Sequence, residues 1–478
     1  MNYKIILHTL GWVLAFEAVC LLLPLICAAY YNEPYISMLA FCIFICLAAG
    51  VLLMCIRPKN KAMYAKEGFI IVAMSWIVIS VFGALPFFFS GFIPNFTDAV
   101  FETASGFTTT GASVLSDVEA LPRCLLFWRS FTHWIGGMGV LVFLVAILPL
   151  SGGNNMHLIR AESPGPSVGK LVPKVRATAK LLYGIYIFLT ILQVILLLIG
   201  KLDFFDSLLL SFGTAGTGGF SIKNSGQAGY SSYVQIVITV FMIIFGVDFS
   251  FYYLLMLRKF KPALHSGEVR AYFCIIFSAI LIISINCFGV FGDVFTTVKH
   301  AAFQVGSIIT TTGYSTADFD RWPELSKTIL VLLMFIGACA GSTGGGIKVS
   351  RVIILLKTVV KEIKIAAHPQ STHKITVSGR MVEHETMRAV NVFMVSYLAV
   401  FVVSLLLISI DNLDFTTNFT AVAATLNNIG PGLSMVGPTR NFSVYSNLSK
   451  LVLTFDMLLG RLEIFPILIL FSPYTWKR

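Results

Sequence analysis

Charge is what this chain has least of. Of 478 residues 12% are charged and 57% are hydrophobic, a balance that excludes an ordinary soluble domain. Cysteines are present but unpaired in pattern: nine are scattered, and Cys20, Cys27, Cys42, Cys46, Cys274 and Cys287 sit inside apolar runs without CxxC spacing. Neither a disulfide framework nor a zinc site is indicated. His384-Glu385-Thr386-Met387-Arg388 lacks the second histidine of HExxH, and no Asp/Asp or Ser/His pair stands out within a span, so an enzyme is not expected. A net charge of +11 would suit nucleic acid only if it were gathered on one exposed face, and here it is sorted along the chain instead.

What is there is apolar length. Stretches of roughly 20 residues, enough to cross a hydrocarbon core, recur from the start almost to the end. The first, about 5–29, is too long for a signal-peptide core and lacks a small-residue cleavage site, so it reads as a retained anchor. With the N-terminus inside, 24 of the 34 Lys and Arg residues fall in inner segments, among them Arg57, Lys66, Arg258, Lys348, Arg351 and Arg388, and eight fall in outer loops. Arg129 lies near a helix start and Arg461 within a span. This bias fixes both termini in the cytoplasm. The partners expected on this ground are membrane lipids, not nucleic acid.

Two spans (5–29 and 36–56) precede a unit that recurs four times: a span, a short apolar stretch, a Gly/Thr-rich loop, another span. The leading spans are about 67–92, 181–200, 271–291 and 389–410; the closing ones are 125–148, 233–257, 327–357 and 449–471, giving ten crossings. The fold class is therefore an all-α polytopic membrane protein with four diverged span–loop–span repeats around one axis. Its divisions are 1–60 (two spans), 61–150, 151–258 and 259–357 (repeats one to three), 358–388 (a basic inner segment) and 389–478 (repeat four). Asp98–Phe107, Asp206–Gly213, Val298–Ile309 and Thr416–Leu426 are too short to span and suit re-entrant helices. One such unit cannot satisfy its own backbone in lipid, whereas four around an axis can.

The loops read Thr108-Thr109-Thr110-Gly111-Ala112, Ala215-Gly216-Thr217-Gly218-Gly219, Thr310-Thr311-Thr312-Gly313-Tyr314 and Asn427-Asn428-Ile429-Gly430-Pro431. Aligned on Gly111, Gly218, Gly313 and Gly430, each has a small residue seven positions earlier: Ala104, Ser211, Gly306 and Ala423. A cation that sheds water needs replacement oxygens, and rings of backbone carbonyls supply them; glycine allows the twist that aligns them. The candidate filter, for a dehydrated cation, is Thr110, Gly111, Thr217, Gly218, Thr312, Gly313, Ile429 and Gly430. A single TTTG would equally suit a Thr-rich turn; four in register argue otherwise.

The third closing span is interrupted by Gly337-Ala338-Cys339-Ala340-Gly341-Ser342-Thr343-Gly344-Gly345-Gly346-Ile347-Lys348. At about 1 kcal/mol per glycine a helix should break there, and irregular backbone at membrane depth must be buried or line water. Gly341, Ser342, Thr343, Gly344, Gly345 and Gly346 are thus a candidate gate. A phosphate loop fails because Ile347 stands where its lysine belongs; small residues for tight helix packing are the other alternative. Arg461, about eleven positions from Lys450 and about sixteen from Lys477, is too deep to reach either surface easily and so requires a partner or a water-filled cavity.

Four span–loop–span repeats, loops sharing only glycine and two leading spans resemble the TrkH branch of the Trk/Ktr/HKT potassium transporter superfamily over essentially the whole chain. The likeness is strengthened by Phe127-Trp128-Arg129-Ser130 running to His133-Trp134-Ile135-Gly136-Gly137-Met138-Gly139, and by Gly460-Arg461-Leu462-Glu463. It implies potassium uptake in a bacterial inner membrane, one pore per subunit, a homodimer and control by a cytoplasmic TrkA/KtrA-type nucleotide-binding ring, with no organic cofactor in the chain. It also implies that the 341–346 loop is an intramembrane gate closed by Arg461. Asp248 in Gly246-Val247-Asp248-Phe249-Ser250 departs from the family pattern; it either attracts cations into the cavity or pairs with Arg461 or Lys348. The basic segment near His368, His373 and His384 could dock a regulator or be a solvated inner loop. An ion-coupled (sodium or proton) symporter with broken helices is the rival function.

Overall fold

A computed structural model describes residues 1–58, 64–139, 175–369, 373–377 and 380–476. The first two spans are helices, Tyr3–Cys20 continuing as Leu22–Tyr30, and Ile36–Met54. They cross at glycine. A Cβ on Gly11 would lie 2.7 Å from the Gly50 carbonyl oxygen, and one on Gly50 3.0 Å from that of Gly11. Such close small-residue contacts hold helices together where lipid removes the hydrophobic drive between them.

Ala65–Phe82, Val175–Ile199, Gly267–Phe291 and His384–Ile408 are the leading helices of the four units. The third turns Phe277, Leu281 and Ile285 outward, all more than 60% exposed. An apolar stripe facing out at helical spacing is the reverse of a soluble helix, and fits lipid as the solvent.

Each leading helix is followed by a short one: Phe96–Phe107, Phe204–Ala215, Val294–Ile309 and Phe415–Leu426. At about 1.5 Å per residue none crosses a core of about 30 Å. Local chemistry starts all four alike, because an Asn or Asp occupies every N-cap: Asn95, Asp203, Asp293 and Asp414. Asn95 accepts from Thr97 N, Asp293 from Thr296 N and Asp414 from Thr417 N, each cap contributing about 1 kcal/mol.

The closing helices depart from the sequence expectation. Only the third was expected to break, yet all four helices are short. Arg123–Met138 stops at Gly139 (φ +85°), and its expected continuation lies outside the described residues. Ser232–Phe245 stops at Gly246 and bends by 90° into Phe249–Met256. Glu324–Ile336 stops at Gly337 (φ +72°). Asn447–Arg461 stops before Glu463 and Ile464, at φ +55° and +70°, and resumes as Phe465–Phe471. Among the described residues six helices are therefore long and apolar enough to cross, or seven if the bent pair counts as one span, and these breaks, with the undescribed stretch after Gly139, account for the difference from ten.

The basic segment also has more structure than an inner loop. Helix Val349–Ala367 covers its start, and Thr376–Val377 pairs antiparallel with Arg380–Met381. Tyr3 and Trp476 stack at 6.4 Å and Lys66 Nζ donates to Tyr474 O at 3.3 Å, which puts the two ends of the chain on one face. Of the inner-side cations, Lys59, Lys61, Arg160, Lys170, Lys174, Lys477 and Arg478 lie outside the described residues.

Candidate functional site

The four short helices end in loops of one geometry. Thr110 N donates to Ser105 O, Gly218 N to Gly213 O, Thr312 N to Ser307 O and Ile429 N to Ala424 O, all at 2.8–2.9 Å. The residue before each is left-handed: Thr109, Thr217, Thr311 and Asn428, at φ +53° to +58°. The residue after each is a left-handed glycine: Gly111, Gly219, Gly313 and Gly430. This corrects the register of the second loop by one residue. Gly219 is the counterpart of Gly111, Gly218 stands where the other loops have Thr110, Thr312 and Ile429, and the helix residue matching Ala104 is Phe212 rather than Ser211.

These glycines close a ring. A Cβ on Gly111 would strike the Gly218 carbonyl oxygen, one on Gly219 that of Thr312, and one on Gly313 that of Ile429; one on Gly430 would lie 2.8 Å from that of Thr110. Each loop thus abuts the next in the order one, two, three, four and back to one. Positive φ and lack of room both demand glycine here. All four glycines line one open depression, shared with Ser113, Ser221 and Ser315. The helices end at these loops, so their partially negative ends favour a cation, and the packed carbonyls are the ligands a dehydrated cation needs.

The interrupted stretch of the third unit lies against the other side of the ring. A Cβ on Gly344 would lie 2.8 Å from Thr310 O, and one on Gly345 2.5 Å from Asn427 O. Gly345 N donates to Thr311 Oγ1 at 2.7 Å. Arg461 Nη1 donates to Thr343 O at 2.9 Å, while its Nη2 donates to Gly136 O and Gly137 O at 2.5 and 2.8 Å. One guanidinium thereby joins the broken inner ends of units one, three and four. Lys348 Nζ donates to Gly344 O.

Two acidic residues that the sequence reading did not assign to the loop hold its ends. Glu268 Oε1 accepts from Ala340 N at 2.7 Å and from Ser350 N at 3.1 Å. Glu463 Oε2 pairs with Arg351 Nη2 at 2.5 Å, and Arg351 Nη1 donates to Ile347 O at 3.1 Å. A lone acid at the inner start of a span, against the positive bias, was the available signal for Glu268. Asp248 makes no ion pair with Arg461 or Lys348 among the described residues. It accepts from Ser250 N at 2.9 Å as the cap of the helix after the bend, and a Cβ on Gly341 would lie 2.6 Å from its Oδ1.

The family model described as "TrkH: Cation transport protein" matches residues 36–477. The chain belongs to the TrkH family. Among TrkH relatives, the Trk system potassium uptake protein TrkH of Escherichia coli K12 is 37% identical, covering all of both chains. An uncharacterized cation transporter of Methanocaldococcus jannaschii is 32% identical over 99% of this chain and 96% of its own. The crystal structure of the potassium transporter TrkH from Vibrio parahaemolyticus aligns with a TM-score of 0.89 at 33% identity over all of both chains. Membership makes this a multi-pass membrane transporter rather than an enzyme.

Proposed function

We propose that the chain takes up potassium across a bacterial cytoplasmic membrane through one channel-like pore, with the four central loops as its filter. The closed ring of carbonyl-bearing loops, with Gly111, Gly219, Gly313 and Gly430 packed against their neighbours, is the observation that carries the reading. Thr110, Thr217, Gly218, Thr312 and Ile429 belong to the same ring. The names of the relatives, potassium uptake proteins, support the choice of ion.

Gly341, Ser342, Thr343, Gly344, Gly345 and Gly346 form the gate in this proposal. Its support is position, since Gly344 and Gly345 abut Thr310 O and Asn427 O beneath the ring, and the grip of Arg461 on Thr343 O. Asp248 beside Gly341 adds negative charge on the inner side. Regulation by a cytoplasmic nucleotide-binding ring, acting on a homodimer, follows from the family resemblance. Coupling to a sodium or proton gradient is the alternative mechanism, which the interrupted closing helices also suit.

Growth of a bacterium stripped of its own potassium uptake systems tests the function. Expression of this chain, alone or with a cytoplasmic partner, restores growth at low potassium. Failure in both settings, with the protein present in the membrane, overturns the proposal.

A further inference from the structure

The second loop is the least braced by its own side chains. In loops one and three the hydroxyls of Thr110 and Thr312 bond those of Thr108 and Thr310, each at 2.8 Å, and in loop four Asn428 Nδ2 reaches Thr110 Oγ1 and Met457 O, both at 2.9 Å. Loop two has Gly218 where those loops have Thr110 and Thr312, and Thr217, the counterpart of Asn428, bonds only its own neighbour, Gly216 O, at 2.6 Å.

Its support comes from the first unit. Arg129 and His133 lie one turn apart on the first closing helix, both buried. Arg129 Nε donates to Glu102 Oε1 at 2.7 Å, and its Nη1 donates to Ser221 O at 2.8 Å while the guanidinium lies 3.5 Å from the Phe220 ring centre. Glu102 in turn accepts from Ser113 Oγ and Val114 N, at 3.0 and 2.9 Å. One ion pair therefore ties the segment leaving Gly111 to the segment leaving Gly219.

His133 makes a second tie one turn deeper. Its Nδ1 lies 2.9 Å from Gly106 O, and Phe220 N donates to its Nε2 at 3.3 Å. A carbonyl only accepts and a backbone N–H only donates, so both bonds require the neutral imidazole with the proton on Nδ1. The positions matching Glu102 in the other units are Leu210, Gln304 and Ala421, so the charged tie belongs to the first unit. A buried ion pair is a poor stabiliser, since desolvation offsets its attraction; fixed geometry is what it supplies.

We infer that Glu102, Arg129 and His133 are specificity-positioning residues, holding the first and second loops at the spacing at which their carbonyls suit potassium rather than sodium. The inference rests on the proposed pore. Its test is the reversal potential of the full chain in planar bilayers with potassium on one side and sodium on the other, for the parent, Glu102→Gln, Arg129→Lys and His133→Ala. The reversal potential does not depend on how many molecules are active, so a partial loss of folding leaves it unmoved. Each variant lowers the potassium-to-sodium permeability ratio, roughly tenfold for the charged pair, the scale of one lost charged hydrogen bond. The double variant falls no further than the worse single one, because both act through one bridge. If the two charged variants fail to reach the membrane, His133→Ala alone decides. A selective parent whose conducting variants all keep its ratio overturns the inference, as does a parent that conducts without selecting; a parent that carries no current overturns the pore reading itself.

Discussion

Arg461 Nη1 donates to Thr343 O at 2.9 Å, joining the last closing helix to the broken stretch of the third. The same guanidinium holds Gly136 O and Gly137 O, so a motion that frees Thr343 need not release the arginine. In the proposed gate, loop 341–346 is then the mobile partner and Arg461 the fixed post.

Replacing Arg461 by alanine should therefore raise potassium flux into liposomes. A charged hydrogen bond contributes about 1.5–3 kcal/mol, and each 1.4 kcal/mol is about tenfold in an equilibrium, so the open fraction rises by roughly tenfold or more if the parent is mostly closed. Deleting Gly344 and Gly345 acts in the same direction. Flux unchanged in both variants removes the gate assignment.

Glu268 holds the loop at both of its ends, through Ala340 N and Ser350 N. Glu268→Ala leaves two backbone donors without that carboxylate and raises resting flux, with Glu268→Gln showing a smaller rise because its amide oxygen still accepts. Equal resting flux in the parent and both variants would show that the loop stays in place without the carboxylate.

The corrected register separates two neighbouring glycines. A side chain at Gly219 meets the backbone carbonyl of Thr312, whereas one at Gly218 meets the ring of His133. Gly219→Ala should abolish flux, and His133→Ala should not restore it. Gly218→Ala should also lose flux, but regain a substantial part when combined with His133→Ala. Normal flux through Gly219→Ala contradicts the register.

The N-cap of the fourth short helix carries a pH signature. Hydrogen bonds from Thr417 hold the Asp414 carboxyl below the usual carboxylate range, against a smaller opposing effect of burial. A depressed folded pKa adds stability that is present above the unfolded value near 4 and is lost as pH falls through the folded one. Asp414→Ala should cost about 1 kcal/mol at neutral pH, and the gap in Tm between parent and variant should narrow below about pH 4. A gap that is constant from pH 3 to 7 would assign the stabilisation to something other than the ionised cap.

The membrane class, the two extra spans and the four short helices were legible because apolar length and Gly/Thr loops report them directly. Of the breaks in the closing spans, only the third was, through its glycines. The run 233–257 is as apolar as an unbroken helix, and what ends it is tertiary: Cys339 N donates to Gly246 O at 3.1 Å. The run 449–471 did carry a signal in Arg461, Glu463 and Pro466, and there Arg351 holds Glu463 beside the turn at Ile464. Arg461 was expected beside the 341–346 loop from the resemblance, and its Nη1 donates to Thr343 O. The register of loop two was lost in Gly216-Thr217-Gly218-Gly219, where matching glycine to glycine is ambiguous. The N-caps would have resolved it, since Asn95 to Gly111, Asp203 to Gly219 and Asp414 to Gly430 are all sixteen residues apart.

Current through a single reconstituted chain preparation tests the central claim most directly. In a planar bilayer with potassium chloride gradients and no sodium or proton gradient, a pore through the four loops gives a potassium current reversing near the potassium equilibrium potential, larger for Arg461→Ala. Absence of current in both proteins, together with potassium uptake into vesicles that appears only when a sodium or proton gradient is imposed, would contradict a channel-like pore.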